Sequence, residues 1–196
     1  ASLCGFEVMW SDFYVHVTRP QGTHRSPLAI SHAFYLIIEA TGTLPGTDDL
    51  NFEAVLGEMT ESDLIRDGVI DKSDKEREEI WAIRGEVEWL VRDCCNFDVS
   101  LRVTDVGSYV EQVTARIRND IPDALVAAFG HLGDNNIHLS VLCEGNKSVH
   151  SETTEKHVYE SPVPYEGSIS ADPCIRLAKK PIFSLSRSAR ELELLP

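Results

Sequence analysis

Short apolar runs along the chain predict β-strands. They are rich in aromatic and β-branched residues, which favour a pleated and half-buried surface. The predicted strands cover residues 4–10, 33–40, 68–71, 97–101, 124–131 and 137–143. The turn Gly133-Asp134-Asn135-Asn136 between the last two runs is typical of a β-hairpin. We therefore expect at least one antiparallel pair near the middle of the chain.

Three other segments repeat apolar residues at helical spacing. Residues 74–92 show the clearest pattern, residues 48–60 follow Asp48 or Asp49 as a cap, and residues 105–118 follow Asp105. The apolar positions of these segments are Ile80, Ile83, Val87, Leu90 and Val91, then Phe52, Val55, Leu56 and Met59, then Val106, Val110, Val113 and Ile117. Because strands and helices do not alternate strictly, the pattern predicts an α+β fold with helices packed on an antiparallel sheet.

Charge limits the partners of the chain. The 18 Lys and Arg residues against 32 Asp and Glu give a net charge of −14. A surface this acidic repels nucleic-acid phosphates and anionic lipids, so we expect neither as a partner. No apolar run approaches the ~18 residues of a membrane span. A small anionic substrate would need a local positive charge to overcome the acidic field.

Cysteine usage and the first residues bear on location. The five cysteines are odd in number and form no CxxC pair, so we expect reduced thiols, or simply small core residues, in a cytoplasmic protein. The first ten residues lack a basic start and a continuous apolar stretch, which predicts no signal peptide. Ala1 in place of methionine fits either a trimmed initiator or a fragment.

Two histidines flank the predicted hairpin turn. His131 and His138 would lie about 5 Å apart if the register places them on one face. Two imidazoles at that separation are a starting point for a divalent metal site. The alternative is a pair of solvated turn histidines.

The segment around these histidines resembles a known motif. Residues 129–141, Phe-Gly-His-Leu-Gly-Asp-Asn-Asn-Ile-His-Leu-Ser-Val, resemble the Gly-His-x-Gly-Asp-Gly-Asn-x-His motif of the FAD-linked oxidase C-terminal domain. Further segments resemble that family in the same order: residues 6–10, 81–84, 98–101 and 167–171. The family includes D-lactate, glycolate and D-2-hydroxyglutarate dehydrogenases.

The resemblance implies a single domain over residues 1–196, with a ferredoxin-like antiparallel sheet and helices on one face. It implies a flavoprotein oxidoreductase in which a small 2-hydroxy acid is oxidised to a 2-oxo acid with FAD as the acceptor. In the family, FAD sits mainly on a separate N-terminal domain. No Gly-rich dinucleotide loop occurs in these 196 residues, so we expect FAD to be held by a missing domain or a partner subunit.

The resemblance also assigns roles to individual residues. His131 and His138 correspond to the first two ligands of Zn²⁺ or another divalent metal, and Asp172 to the third. Asn136 corresponds to a flavin-contacting position and Ser140 to a substrate-contacting position.

Arg84 resembles the arginine that grips the substrate carboxylate. It lies at the edge of the apolar stripe of the predicted 74–92 helix, where a long side chain could reach a buried cleft. The alternative is a surface arginine paired with Glu88 at the i+4 position.

Several positions depart from the family pattern. The chain has Asn135 where the motif has glycine, Ser140 where it usually has asparagine, and Asn96 where a lysine often precedes the Asp-x-Ser strand. The final motif, Ala-Glu-His-Gly-Ile-Gly in the family, reads Ala-Asp-Pro-Cys-Ile-Arg at residues 171–176. Pro173 stands where the family has its histidine base, so no catalytic residue is intact. Cys174 is an alternative, soft metal ligand in this segment.

Three interpretations follow. The first is the substrate domain of a flavin-dependent D-2-hydroxy-acid dehydrogenase, inactive alone, from a fragment, a split enzyme or a decayed gene product. The second is a non-catalytic binding or interaction module, a decayed paralogue that keeps the fold. The third is a metal-binding protein unrelated to flavin. Pro173 favours the second, whereas His131, His138 and Arg84 favour the first.

Overall fold

Two compact units divide the chain, Ala1–Glu86 and Val87–Pro196. The computed structural model describes residues 2–44, 46–143, 147–165 and 167–169. Paired strands within each unit run antiparallel and are accompanied by helices. The predicted α+β fold with an antiparallel sheet is therefore confirmed.

The described residues of the first unit contain two antiparallel strands and three helices. Its elements are β1 (Ser2–Trp10), α1 (Ser11–Thr18), β2 (Phe34–Thr41), α2 (Thr47–Glu61) and α3 (Asp74–Gly85). Strands β1 and β2 pair from Ser2 opposite Thr41 to Trp10 opposite Phe34. They correspond to the predicted strands at residues 4–10 and 33–40.

Helices α1 and α3 cover the same face of this sheet. On α1, the ring of Tyr14 stacks on Tyr35 of β2 with centroids 3.5 Å apart. On α3, the indole of Trp81 lies so close to Gly5 of β1 that a Cβ there would come within 3.1 Å of it. Gly5 and Tyr35 share one face because Gly5, Glu7 and Met9 alternate along β1, and Met9 pairs with Tyr35.

The second unit contains four strands and three helices among its described residues. They are α4 (Glu88–Asp93), β3 (Cys95–Ser100), α5 (Val103–Asp120), β4 (Leu125–His131), β5 (Asn136–Leu142), α6 (Lys147–Glu160) and β6 (Ser168–Ile169). The strand order is β4-β5-β3-β6. The hairpin β4–β5 confirms the prediction made from its turn residues.

The two faces of the β3–β5 pair differ in polarity. Cys95, Phe97 and Val99 of β3 are buried, and so are their cross-strand partners on β5. Phe97 meets Tyr159 of α6 edge-on at 5.6 Å, and the Tyr109 hydroxyl of α5 donates to the Val158 carbonyl at 3.1 Å. Helices therefore lie on the apolar face, and the opposite face carries the polar side chains.

The helix predicted over residues 74–92 is wrong in its extent. Helix α3 ends at Gly85 and α4 begins at Glu88. Glycine weakens a helix interior, because its backbone loses the most freedom on ordering, and the boundary between the two units falls immediately after Glu86. The apolar periodicity therefore runs across two helices that belong to different units.

Three smaller predictions also fail. Residues 68–71 form no strand, and they lie in an irregular segment whose Val69 and Ile70 are exposed. The N-cap of α5 is Arg102 and not Asp105, whose carboxylate accepts from the Arg102 Nε at 2.7 Å. The N-cap of α2 is Gly46 and not an aspartate.

Helix α2 covers the predicted segment 48–60 and has no buried residue. Across the part of the chain that the structure describes, no helix combines the length and the apolar character needed to cross a bilayer.

Candidate functional site

Three cross-strand rows build the polar face of the second unit. Residues directly opposite each other in an antiparallel sheet share a face. The rows, read from β3 through β5 to β4, are Asn96–Ser140–Ala127, Asp98–His138–Phe129 and Ser100–Asn136–His131. These nine positions include no Lys or Arg, so the three rows carry the negative charge of Asp98 and no fixed positive charge of their own.

His131 and His138 lie together on this face, as the motif predicts. They are diagonal neighbours across the hairpin and not direct partners, since His131 pairs with Asn136 and His138 with Phe129. Their ring centroids are 5.4 Å apart and the rings are nearly perpendicular, at 85°. The register thus brings two imidazoles within reach of one small ligand.

Asp98 holds His138 from the neighbouring strand. Its Oδ1 atom is hydrogen-bonded to Nδ1 of His138. The Phe129 ring contacts the other side of the imidazole, with centroids 5.1 Å apart. Asp98 is a site residue that the motif did not predict. The available signal was the alternation of residues 97–101, which puts Asp98 and Ser100 on the polar face of a strand.

The turn between the histidines depends on two backbone positions. A Cβ on Gly130 would lie 2.3 Å from the Asn136 carbonyl oxygen and 2.8 Å from the Ile137 Cα, so no side chain fits there. Asn135 adopts φ 57° and ψ 26°, the left-handed region. Asparagine tolerates that region better than other non-glycine residues. The replacement of the motif's glycine by Asn135 therefore preserves the turn.

Asn136 and Ser140, predicted to contact flavin and substrate, both lie on β5. The side-chain Oδ1 of Asn136 is buried without a hydrogen-bond partner among the described residues. Ser140 is buried, and its hydroxyl donates to Asn96 Oδ1 at 2.7 Å. Asn96 in turn donates to the Leu90 carbonyl at 2.9 Å. Asn96 and Ser140, two departures from the family motif, are thus hydrogen-bonded to each other.

Arg84 lies in the first unit, buried beside Glu7. Its Nε donates to Glu7 Oε2 at 3.0 Å, and both side chains are about 10% exposed or less. Burial lowers the pKa of the Arg84 guanidinium, and the Glu7 carboxylate opposes that shift. The interpretation of Arg84 as a surface residue does not hold, because the side chain is buried. Glu7 was not predicted as a partner of Arg84.

The described part of the second unit does not complete a metal site. Over residues 2–44, 46–143, 147–165 and 167–169, no group of three or more His, Cys, Asp and Glu side chains is arranged to hold a metal ion. Asp172, Pro173 and Cys174 lie outside the described residues. The segment preceding them, β6, ends at Ile169 opposite Val99, the residue next to Asp98.

Comparisons with known proteins agree with the motif. The family profile of FAD linked oxidases, C-terminal domain, matches residues 1–196. The chain is 29% identical to a putative mitochondrial D-lactate dehydrogenase of Schizosaccharomyces pombe, over 98% of the chain and 39% of that protein. It is 31% identical to the mitochondrial D-2-hydroxyglutarate dehydrogenase of Bos taurus, over 83% of the chain and 30% of that protein.

A third relative is the D-2-hydroxyglutarate–pyruvate transhydrogenase of Saccharomyces cerevisiae, which is 31% identical over 86% of the chain and 36% of its own length. The chain therefore spans between 30% and 39% of the length of these three relatives. With a profile match over its full length and the double-histidine hairpin in place, the chain belongs to the family of FAD-linked oxidase C-terminal domains.

Proposed function

We propose that this chain is the substrate-binding part of a flavin-dependent D-2-hydroxy-acid dehydrogenase and is inactive without a flavin-binding region. The observation that carries the proposal is the polar face with two imidazoles and a buried amide oxygen on Asn136 that has no partner among the described residues. A buried polar atom without a partner is uncommon in folded proteins and calls for an explanation; a bound ligand group is the one that we propose here. The relatives named for oxidation of 2-hydroxy acids support the substrate class.

The donor set fits a divalent metal in part. A metal-binding histidine ordinarily donates its second ring N–H to a carboxylate, and Asp98 stands at Nδ1 of His138 in that way. His131 and His138 would be two ligands, and Asp172 is the proposed third. A metal there would act as a Lewis acid on the oxygen atoms of the substrate.

The charge of the site gives a reason for such a metal. The chain is acidic overall, with net charge −14, and the three polar rows add Asp98 without any Lys or Arg. A carboxylate substrate near this face would be repelled unless a cation lay between them. Arg84 remains the proposed clamp for the substrate carboxylate. The substrate would have to compete with Glu7 for its guanidinium.

FAD, held by a flavin-binding region, would accept the hydride from the substrate. This chain's residues would bind and orient the hydroxy acid. Pro173, at the position of the family's histidine, has no side-chain group that can take a proton. General-base catalysis is typically worth about 10²–10⁴ in rate, so we expect slow turnover even with flavin bound.

Activity measurements test the proposal. The purified chain is given FAD, an artificial electron acceptor and, in turn, D-lactate, glycolate and D-2-hydroxyglutarate. We expect no turnover above a heat-killed control. The same substrates are then offered with a separately produced flavin-binding domain of a relative. Turnover only in the mixture supports the proposal, and turnover by the chain alone contradicts it.

The mixture can also show whether the last motif limits the rate. The double variant Pro173→His, Asp172→Glu rebuilds the family residues, and we expect it to raise the rate in the mixture. If neither the wild type nor the double variant shows turnover in the mixture, the alternative is favoured, namely a non-catalytic interaction module that keeps the fold.

Zinc titration tests the metal separately. We expect weak Zn²⁺ binding by the wild type and its loss in His138→Ala. The control is His157→Ala, which removes a histidine paired with Asp120 at 2.7 Å on α6, a helix of the opposite face. Equal affinity in all three proteins would remove His138 from the metal site.

A further inference from the structure

His138 sits in a row of three residues that crosses three strands. Asp98 is its direct cross-strand partner on β3, and Phe129 is its direct partner on β4. The carboxylate contacts Nδ1 on one side, and the phenyl ring contacts the imidazole on the other. Since all three strands are paired through these positions, the backbone itself sets the Asp98–His138 contact.

This contact restricts the chemistry of the ring. An ionised carboxylate can only accept hydrogen bonds. A hydrogen bond between Asp98 and Nδ1 therefore requires the proton of the neutral imidazole to be on Nδ1, which leaves the lone pair on Nε2. The described contacts give Nε2 of His138 no hydrogen bond.

We propose that Asp98 is a positioning residue, which fixes His138 in the Nδ1–H tautomer and presents Nε2 as the atom that meets the ligand. Without Asp98 the ring would return toward the Nε2–H tautomer, which free imidazoles of histidine prefer. Nε2 would then carry a proton in place of a lone pair. It could neither ligate a metal nor accept a proton from a hydroxyl.

The neighbouring rows are consistent with this role. In the next row the Ser140 hydroxyl donates to Asn96 Oδ1, and the Asn96 amide nitrogen donates to the Leu90 carbonyl, so the hydrogen bonds of Asn96 are directed away from the Asp98 carboxylate. Phe129 limits rotation of the His138 ring by contact and supplies no polar atom. Within the described contacts of His138, the Asp98 carboxylate is thus the group that can discriminate between the two ring nitrogens.

This proposal deepens the proposed function. The contact of Nε2 with a metal or substrate rests on that function, whereas the tautomer of His138 does not. The tautomer is measured on the chain without substrate, flavin or metal. Long-range ¹H–¹⁵N correlation spectra distinguish a protonated ring nitrogen from an unprotonated one. Spectra are recorded at about pH 8, where imidazoles are ordinarily neutral. The signal of His138 among the seven histidines is assigned with the His138→Gln variant.

In the wild type we expect Nδ1 protonated and Nε2 unprotonated. In Asp98→Ala we expect a shift of the His138 signals toward the Nε2–H tautomer, with the other histidines unchanged. Ser100→Ala is the matched control, since Ser100 lies on the same strand and face two residues away. It should leave the His138 tautomer as in the wild type.

Two results would overturn the inference. One is a wild-type His138 with Nε2 protonated, a measurement that needs no variant and stands even if Asp98→Ala does not fold. The other is a folded Asp98→Ala protein that keeps the Nδ1–H tautomer.

Zinc titrations of the same three proteins distinguish a failure of this proposal from a failure of the proposed function. If the wild type binds Zn²⁺, its affinity should fall about 10–100-fold in Asp98→Ala and not in Ser100→Ala. Unchanged zinc affinity in Asp98→Ala would contradict the positioning role. A wild type that binds no zinc but shows the Nδ1–H tautomer contradicts the metal part of the proposed function and supports the role of Asp98.

Discussion

A single backbone angle controls the turn that carries the two histidines. Asn135 takes φ 57° where the family motif has glycine. Its amide donates to the Leu132 carbonyl at 3.3 Å, and its carbonyl accepts from the Leu101 amide at 3.0 Å. These are main-chain contacts, so a substitution acts mainly through the strain of the left-handed conformation.

We expect Asn135→Val to lower the free energy of unfolding by about 1–2 kcal/mol, because a Cβ-branched residue is strained in this region. Asn135→Gly should leave stability equal or slightly higher. Urea unfolding measures both. The control is Asp134→Val in the same exposed turn, where φ is not positive. A loss at Asp134 as large as at Asn135 would contradict the strain argument.

At the scale of elements, β1 and α3 are joined by the buried Glu7–Arg84 pair. Both charged groups are largely removed from water, and each offsets part of the other's desolvation. Arg77 on the same helix makes a contrasting pair with Glu39, at 3.3 Å, in which the arginine is half exposed.

Removing one partner of the buried pair should be costly. We expect Arg84→Met to lower the free energy of unfolding by about 3–5 kcal/mol, since the buried Glu7 carboxylate would lose the guanidinium hydrogen bond that it accepts. Arg77→Met, the matched control, should cost about 0–1 kcal/mol. The double change Glu7→Gln, Arg84→Met should recover much of the loss. Similar losses for Arg84→Met and Arg77→Met in denaturant unfolding would refute the compensation argument.

Element prediction from sequence succeeded where a segment signals its own structure. The strands at 33–40 and 137–143 each contain enough apolar residues to be recognised from their own sequence. Helix α5 repeats apolar residues at helical spacing from Val106 to Ile117. The break after Gly85 was missed, because the apolar period continues across it. The run at 68–71 was overpredicted, because four residues cannot show whether a neighbouring strand exists.

The candidate site was predictable only in its local part. His131 and His138 are close in sequence, so the turn residues between them fix their relation. Asp98 reaches His138 from 40 residues away, and Glu7 reaches Arg84 from 77 residues away. Such contacts depend on strand register and helix docking, and neither can be read from the residues themselves.

For the whole molecule, His16 links stability to pH. Burial lowers the pKa of His16, and the charge of Arg19 lowers it further. The unfolded chain therefore binds this proton more readily than the folded one. The contribution of His16 to stability is present above the unfolded pKa, about 6.5, and is lost as pH falls below it toward the folded value.

We expect the thermal midpoint of the wild type to fall between about pH 8 and pH 5, and the fall to be smaller in His16→Gln. The control is His24→Gln, which removes a histidine paired with Glu86 at 3.2 Å; it should not reduce the fall. Calorimetry at several pH values measures all three proteins. An identical pH dependence of the wild type and His16→Gln would exclude His16 as a source of the effect.

The Asn96–Ser140 pair has a consequence for how this sequence can change over time. Replacing Asn96 by lysine alone would leave the buried Ser140 hydroxyl without its acceptor, at about 1–3 kcal/mol. Replacing Ser140 by asparagine alone would force a larger side chain into a position that is 2% exposed. Each single step toward the family's residues thus passes through a less stable protein. The two positions are mutationally coupled, because a protein that has Asn96 is more stable with Ser140 than with asparagine, and a protein that has Ser140 is more stable with Asn96 than with lysine.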